Sequence, residues 1–179
     1  FPDPDQSAMR EIPRKAMHIP VAMGLLNPSG EELAVQLEGE LISGEARTRV
    51  LELTESEQTF NFTGLSQAPI PSLLRGFSAP VRLKMERSHE ELAFLMGRDS
   101  DSFSRWDAGQ QLALDRLLEL AEKSSRGEVM VLDPLYSEAF GRVLLDPGLD
   151  GSLKALALTL PSEKVLGQEA DVVDPDALF

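Results

Sequence analysis

Two histidines, His18 and His89, are the only imidazoles in 179 residues, and there is no cysteine. Thiolate nucleophiles, disulfides and Cys-ligated zinc are therefore excluded. The segment His89-Glu90-Glu91-Leu92-Ala93 begins like the helical zinc signature H-E-x-x-H, in which two His at i and i+4 place both ligands on one helix face. Ala93 stands where the second His belongs, so the segment reads as the polar first turn of a helix. His18, two residues before Pro20, reads as a group that orders a strand edge. There is no G-x-S-x-G elbow and no Gly-rich phosphate cradle. A Ser–His–Asp triad need not be contiguous, so only geometry can exclude one. Asp99 and Asp101 come closest to paired carboxylates. Raising a carboxyl pKa needs burial, and these two stand among Ser and Arg, so they read as solvated loop charges. Phe103-Ser104-Arg105-Trp106-Asp107 holds the single Trp and reads first as a helix-packing anchor, second as an inter-domain contact. Arg105 is available to pair with an acidic neighbour. The residues themselves assign no catalytic, cofactor-binding or metal-binding position.

The elements that would carry such groups change period along the chain. Met17, Ile19, Val21, Met23 and Leu25 alternate, which puts five apolar side chains on one face of a strand. Asn27-Pro28-Ser29-Gly30 is turn chemistry, and Leu33, Val35 and Leu37 alternate again, so a hairpin is expected. Pro20 lacks an N–H and belongs at an edge or a bulge. Thr48 to Leu53 forms another strand, Thr54-Glu55-Ser56-Glu57 a turn, and Phe60 and Phe62 share a face. Pro69, Pro71 and Pro80 frame Leu73 to Phe77, and Val81 and Leu83 close the run of short strands. The pattern is that of a small antiparallel sandwich.

Helical spacing begins at Ser88. Ser88-His89-Glu90-Glu91 matches a capping box, followed by Leu92, Leu95 and Met96. A second helix is expected from about Ser102 to Lys123, with a stripe of Phe103, Trp106, Ala113, Leu114, Leu117, Leu118 and Ala121. Asp133-Pro134 opens a third, carrying Leu135, Ala139, Phe140, Val143 and Leu144, and Asp146-Pro147-Gly148 stops it. Leu153, Leu156, Ala157 and Leu160 mark a fourth, and Ser162 caps a short fifth that ends near Gly167. Asp174-Pro175-Asp176 is a helix start with only three residues after it. With no initiator Met before Phe1, the chain is expected to be excised from a longer protein.

Composition sets the remaining bounds. Hydrophobic residues make up 42% and charged residues 26%, a globular balance. The formal charge is −13, which argues against nucleic acid and against anionic membrane. No run approaches the roughly 18 apolar residues of a membrane span. Residues 1–86 carry 8 Lys/Arg against 12 Asp/Glu, and residues 87–179 carry 9 against 18, so the acidity concentrates in the helical part. The expected organisation is a small antiparallel β-sandwich over 1–86, followed over 87–179 by the start of an all-α, solenoid-like domain. A Cys-free chain is compatible with a reducing compartment, and a cytoplasmic location is expected.

An ordered set of segments resembles the bacterial aminopeptidase N family of zinc metallopeptidases. They are His18-Ile19-Pro20, Glu57-Gln58-Thr59-Phe60, Pro69 to Leu74, Phe77-Ser78-Ala79-Pro80-Val81, Phe94-Leu95-Met96, Phe103 to Ala108, Val143-Leu144-Leu145-Asp146, Leu160-Pro161-Ser162-Glu163 and Asp174-Pro175. The resemblance implies an internal fragment of a membrane alanyl aminopeptidase-type enzyme that removes N-terminal amino acids from peptides. It also implies that the sandwich over 1–86 is Ig-like and incomplete, and in that family zinc sits in a separate catalytic domain. Its ligands, general-base Glu and amine-binding Glu have no matching positions here, so this segment is expected to hold no zinc and no activity. Its role would be a spacer and the base of a helical cap, in contact with the catalytic and C-terminal domains. One alternative is an independent protein-interaction module built of a sandwich and helical repeats. Another is a stand-alone hydrolase, which requires a concave pocket with perturbed ionisable groups.

Overall fold

The computed structural model describes residues 17–40 and 46–170. The helix start at Asp174-Pro175-Asp176 lies outside them. The elements in chain order are β1 (Ile19–Leu26), β2 (Glu32–Leu33), β3 (Gln36–Leu37), β4 (Thr48–Leu53), β5 (Phe62–Thr63) and β6 (Ile70–Leu73). A 3-10 turn (Arg75–Phe77) follows, then α1 (His89–Arg98), α2 (Ser102–Ser125), α3 (Pro134–Leu145), α4 (Gly151–Leu158) and α5 (Glu163–Glu169).

β1 is the centre of a four-stranded antiparallel sheet, and β3 and β5 form a second, two-stranded sheet. The expected hairpin closes at Asn27. Its Oδ1 accepts the Ser29 and Glu31 N–H groups, and Gly30 takes φ +91°. Gly24 is paired with both Thr48 and Ser72, and Leu25 with both Leu33 and Pro71. β2 and β4 therefore share one side of β1, and β6 takes the other. β6 pairs only from Met23 onward. Before that the Ala22 N–H donates to the Ser78 hydroxyl at 2.9 Å. Pro20 is two residues earlier and so faces the same way, where no strand needs its missing N–H. The sequence predicts an edge strand, or a bulge at Pro20; β1 is instead the central strand, and Pro20 is tolerated because β6 has not begun to pair at that point.

The five-residue stripe on β1 is only half of its packing. Met23 and Leu25 join Val35, Leu51, Phe60 and Phe62 in the core of the sandwich, as the alternation predicted. Ala22, Gly24 and Leu26 on the opposite face are buried as well: the 3-10 turn region and the Arg75 side chain cover the first two, and Leu26 reaches into the helical core. Leu26 is fully buried in a second core with Leu92, Met96, Leu112 and Val143. Met17 stays exposed.

The helices begin where their caps predict. Ser88 and Glu91 form the capping box, the Asp101 side chain accepts from the Ser104 N–H, and Asp133 precedes Pro134 at the first helical position. Small residues allow close packing: Ala93 and Ala139 in one contact, Ala108, Gly109 and Ala157 in another. Four expectations need correction. The buried face of α2 is Ser104, Arg105, Ala108, Gly109, Leu112 and Ala113, while Phe103, Trp106, Leu114, Leu117, Leu118 and Ala121 are half-buried. The reason is length. α2 runs about 36 Å and α1 about 15 Å, so the leucines of the far half of α2 extend past their packing partner. Ser162 occupies the N-cap position of α5 without making the side-chain cap bond. Val81 and Leu83 belong to no strand, and residues 81–88 form a strap between the 3-10 turn and α1. Leu144, Leu156 and Leu160 are exposed rather than buried.

Candidate functional site: a buried arginine junction beside an apolar groove

Gly24, Thr48 and Ser72 are register partners, and Glu32 is the partner of Leu26, so all four present the same sheet face toward the helices. On that row lies Arg75, only 6% exposed. A Cβ on Gly24 would stand 2.3 Å from its Cζ, so the guanidinium rests on bare backbone. Its Nε donates to the Ser72 hydroxyl at 2.9 Å, and Nη1 donates to the Thr48 hydroxyl at 2.8 Å and to Glu32 Oε1 at 2.6 Å. Nη2 donates to Asp99 Oδ1 at 3.2 Å. The fork geometry of a guanidinium is what allows four partners on different elements.

The loop that delivers Arg75 is strained. Leu74, Gly76 and Phe77 all have positive φ, of 57°, 59° and 55°. Two of these are bulky L-residues, which costs on the order of 1–3 kcal/mol each and must be held by surrounding contacts. The Gly76 N–H donates to Asp101 Oδ2 at 2.9 Å, and Ser72 and Ser104 hydroxyls meet at 3.1 Å. Phe77 stacks obliquely on Phe103 at 5.1 Å, and Phe103 on Trp106 at 5.7 Å. Asp99 and Asp101 are thus not solvated loop charges. Asp99 is 0% exposed and joins the α1–α2 link to the sheet, and Asp101 caps α2 while holding the 3-10 turn. Their cationic partner lies 24 residues upstream of Asp99, where local sequence context does not reach.

Burial pushes the Asp99 carboxyl above the usual range, opposed by Ser72, the Asp101 N–H and Arg75. Glu32 moves the other way. Burial opposes its ionisation, but hydrogen bonds from Ser100 and Arg75 outweigh that and hold it low. A second buried arginine, Arg105, does find an acidic partner: Nη1 and Nη2 both donate to Asp146 Oδ2 at 3.0 Å. It also donates to the Met96 and Gly97 carbonyls, so it satisfies the C-terminal end of α1 and ties it to the end of α3. The Gly148 N–H and then Arg105 hold the Asp146 carboxyl below its usual range.

Beside this junction opens a groove of about 1330 Å³. The strap bounds it with Val81, Leu83 and Met85, and Phe77, Phe103 and Trp106 face it. Asp107 lies at its edge, its carboxyl raised by burial and opposed by Gln111 and Arg87. Among the described residues no His and no Ser line the groove, where the one carboxyl raised by burial is that of Asp107. Trp106 therefore serves the reading ranked second as much as the first, since its aromatic stack links α2 to the sandwich side.

The histidines lie elsewhere. His18 pairs with Glu52 across the β1–β4 edge, and His89 contacts Asp115 at 3.3 Å and Arg116. Among the described residues no group of three or more His, Cys, Asp or Glu is placed to hold a metal ion. His18 and His89 each pair with their own neighbours and do not converge, so these residues do not fit a zinc site.

The geometry agrees with two adjoining family matches. A domain of unknown function with an Ig-like fold, DUF3458, matches residues 4–86, and a domain of unknown function with ARM repeats, DUF3458_C, matches residues 89–179. The chain belongs to this family, an Ig-like sandwich followed by ARM-type helices. Among named proteins it is similar to Aminopeptidase N of Escherichia coli (strain K12), at 35% identity over 98% of this chain and 19% of that protein. Aminopeptidase N of Haemophilus influenzae is 35% identical over 90% of this chain and 18% of that protein. The crystal structure of Legionella pneumophila aminopeptidase A in complex with aspartic acid matches with a TM-score of 0.68 at 32% identity, covering 90% of this chain and 17% of that one. The chain spans about a fifth of the length of these relatives.

Two outcomes follow from the junction. Arg75→Met leaves Asp99 and Glu32 without their shared counter-ion, and urea unfolding should show a loss of about 3–5 kcal/mol. Asp99 has a folded pKa above its unfolded value of about 3.9, so between those two values the unfolded state releases its proton first and stability falls as pH rises. Asp99→Asn removes this term. The stability of the wild type relative to Asp99→Asn, measured by urea unfolding from pH 4 to 7, should decline as pH increases, and a difference that grows with pH contradicts the assignment.

Proposed function

We propose that this chain is a non-catalytic middle segment of a zinc-dependent aminopeptidase that removes N-terminal amino acids from peptides, and that it acts as a rigid spacer and the base of a helical cap. The observation that carries this reading is the end-to-end similarity to a contiguous fifth of aminopeptidase N. We divide it into a sandwich over residues 1–86 and the first part of an all-α domain over 87–179, and assign it no catalytic, cofactor-binding or metal residue. Zinc and peptide belong to the parent enzyme, of the membrane alanyl aminopeptidase type. A cytoplasmic parent is consistent with a chain that has no Cys.

Two physical features support a spacer within a larger body. The Arg75 junction locks sandwich to helices through side chains from β2, β4, β6 and the α1–α2 link, which suits an element that must hold an angle. Val129, Met130, Val131 and Leu132, in the α2–α3 link, are 59–83% exposed in one run. Four consecutive exposed apolar residues mark a contact surface, and in the parent they would meet the catalytic or C-terminal domain.

The direct test is an aminopeptidase assay with aminoacyl reporter substrates and added zinc. The 179-residue chain should give no turnover, while the full-length protein encoded by the same gene should release N-terminal residues. Robust zinc-dependent turnover by the 179-residue chain overturns the reading.

A further inference from the structure

Arg87, near the end of the strap, is a third arginine at the seam between sandwich and helices, and its bonding is incomplete. Its Nη2 donates to the Pro71 carbonyl of β6 at 2.7 Å. Its Nη1 is buried and, among the described residues, meets no acceptor. Burial pulls the guanidinium below its usual range, and the charges of Glu91, Asp107 and Asp99 oppose that. Yet among the described residues none of these carboxylates comes within the 4.0 Å of an ion pair with Arg87. A buried donor without a partner is costly, and a polar contact across more than about 3.5 Å is often closed by water.

Between Arg87 and α2 lies a small cavity that leaves about 20 Å³ for the centre of a water molecule. One water needs roughly 10–15 Å³ on that measure, so one fits and two do not. Its polar border consists of Arg87, Asp107, Gln111, Ser72 and Ser104. The Gln111 amide donates to Asp107 Oδ2 at 2.7 Å, and among the described residues no donor reaches Asp107 Oδ1. We propose that this cavity is a binding site for a single water molecule, which accepts from Arg87 Nη1, donates to Asp107 Oδ1 and so bridges the strap to α2. A hydroxyl of Ser72 or Ser104 supplies its third bond, and three bonds are typical of a buried water. The border selects this class of ligand. A cation would face the guanidinium, and an anion would face Asp107 with Asp99 close behind. A neutral molecule that both donates and accepts, and that has one heavy atom, satisfies both walls. Arg87 then grips β6 directly and α2 through the water, a second polar tie across the seam that the Arg75 junction also spans. Nothing in this arrangement depends on the parent enzyme.

Crystals of the chain grown in bromide, diffracting well enough to place ordered water, test it. A single peak of density should lie within hydrogen-bond distance of Arg87 Nη1 and Asp107 Oδ1, without bromide's anomalous signal. In solution, the methyl protons of Ala108, which borders the cavity, should show cross-relaxation with water of the sign given by a long-held molecule. The Arg87→Met variant keeps both serine hydroxyls but removes the donor, so this signal should fall several-fold. No density in the cavity, an anomalous peak there, or direct contact between Arg87 and Asp107 overturns the proposal. A solution signal that is missing in the wild type, or that Arg87→Met leaves unchanged, overturns it as well, since an unchanged signal comes from the hydroxyls. If Arg87→Met does not fold, the wild-type density decides alone.

Discussion

The guanidinium of Arg75, resting on Gly24, is the constraint on which the rest of this structure depends. It gathers a carboxylate from β2, hydroxyls from β4 and β6, and a fully buried carboxylate from the link between the first two helices. Sheet and helices are also joined by apolar contacts, which are strong but carry little directional information, and by further hydrogen bonds such as Ser72–Ser104 and Arg98 to the Ser29 carbonyl. A buried ion pair adds little net stability over apolar groups of the same shape, because desolvation offsets the attraction. What it does impose is geometry: four donors in a rigid plane fit their acceptors in one arrangement only. The left-handed residues at Leu74 and Phe77 belong to the same constraint, since they turn the chain back so that Arg75 points under the sheet it has just left.

The second arginine repeats this logic within the helices. Arg105 satisfies the end of α1 and reaches Asp146 at the end of α3, fixing a three-helix corner beside the junction. Together the two cations anchor the sandwich to the first ARM-type helices without using the groove or the exposed Val129–Leu132 run.

Much of the fold was legible in the sequence because it is written locally. The Asn27 turn, the Ser88 capping box and the Asp133-Pro134 helix start each depend on neighbours within a few residues, and each forms as expected. The junction was not legible for the same reason in reverse. Asp99 sits among Ser and Arg and looks solvated, and only the return of Arg75 from the sheet makes it a buried partner. The phase of α2 was misread because its longest run of leucines lies beyond the reach of α1, whereas its buried face is made of Ser, Ala, Gly and an arginine. The spacing of Val81 and Leu83 predicts that they close the run of strands, but among the described residues they join no sheet, because apolar spacing alone does not supply a pairing partner.

Differential scanning calorimetry on the 179-residue chain tests the central claim most directly. If the arginine junction makes sandwich and helices one cooperative body, heating gives a single transition whose calorimetric and van't Hoff enthalpies agree. Two resolved transitions, or a calorimetric enthalpy well above the van't Hoff value, would mean that the halves melt separately and that Arg75 does not bind them into one unit.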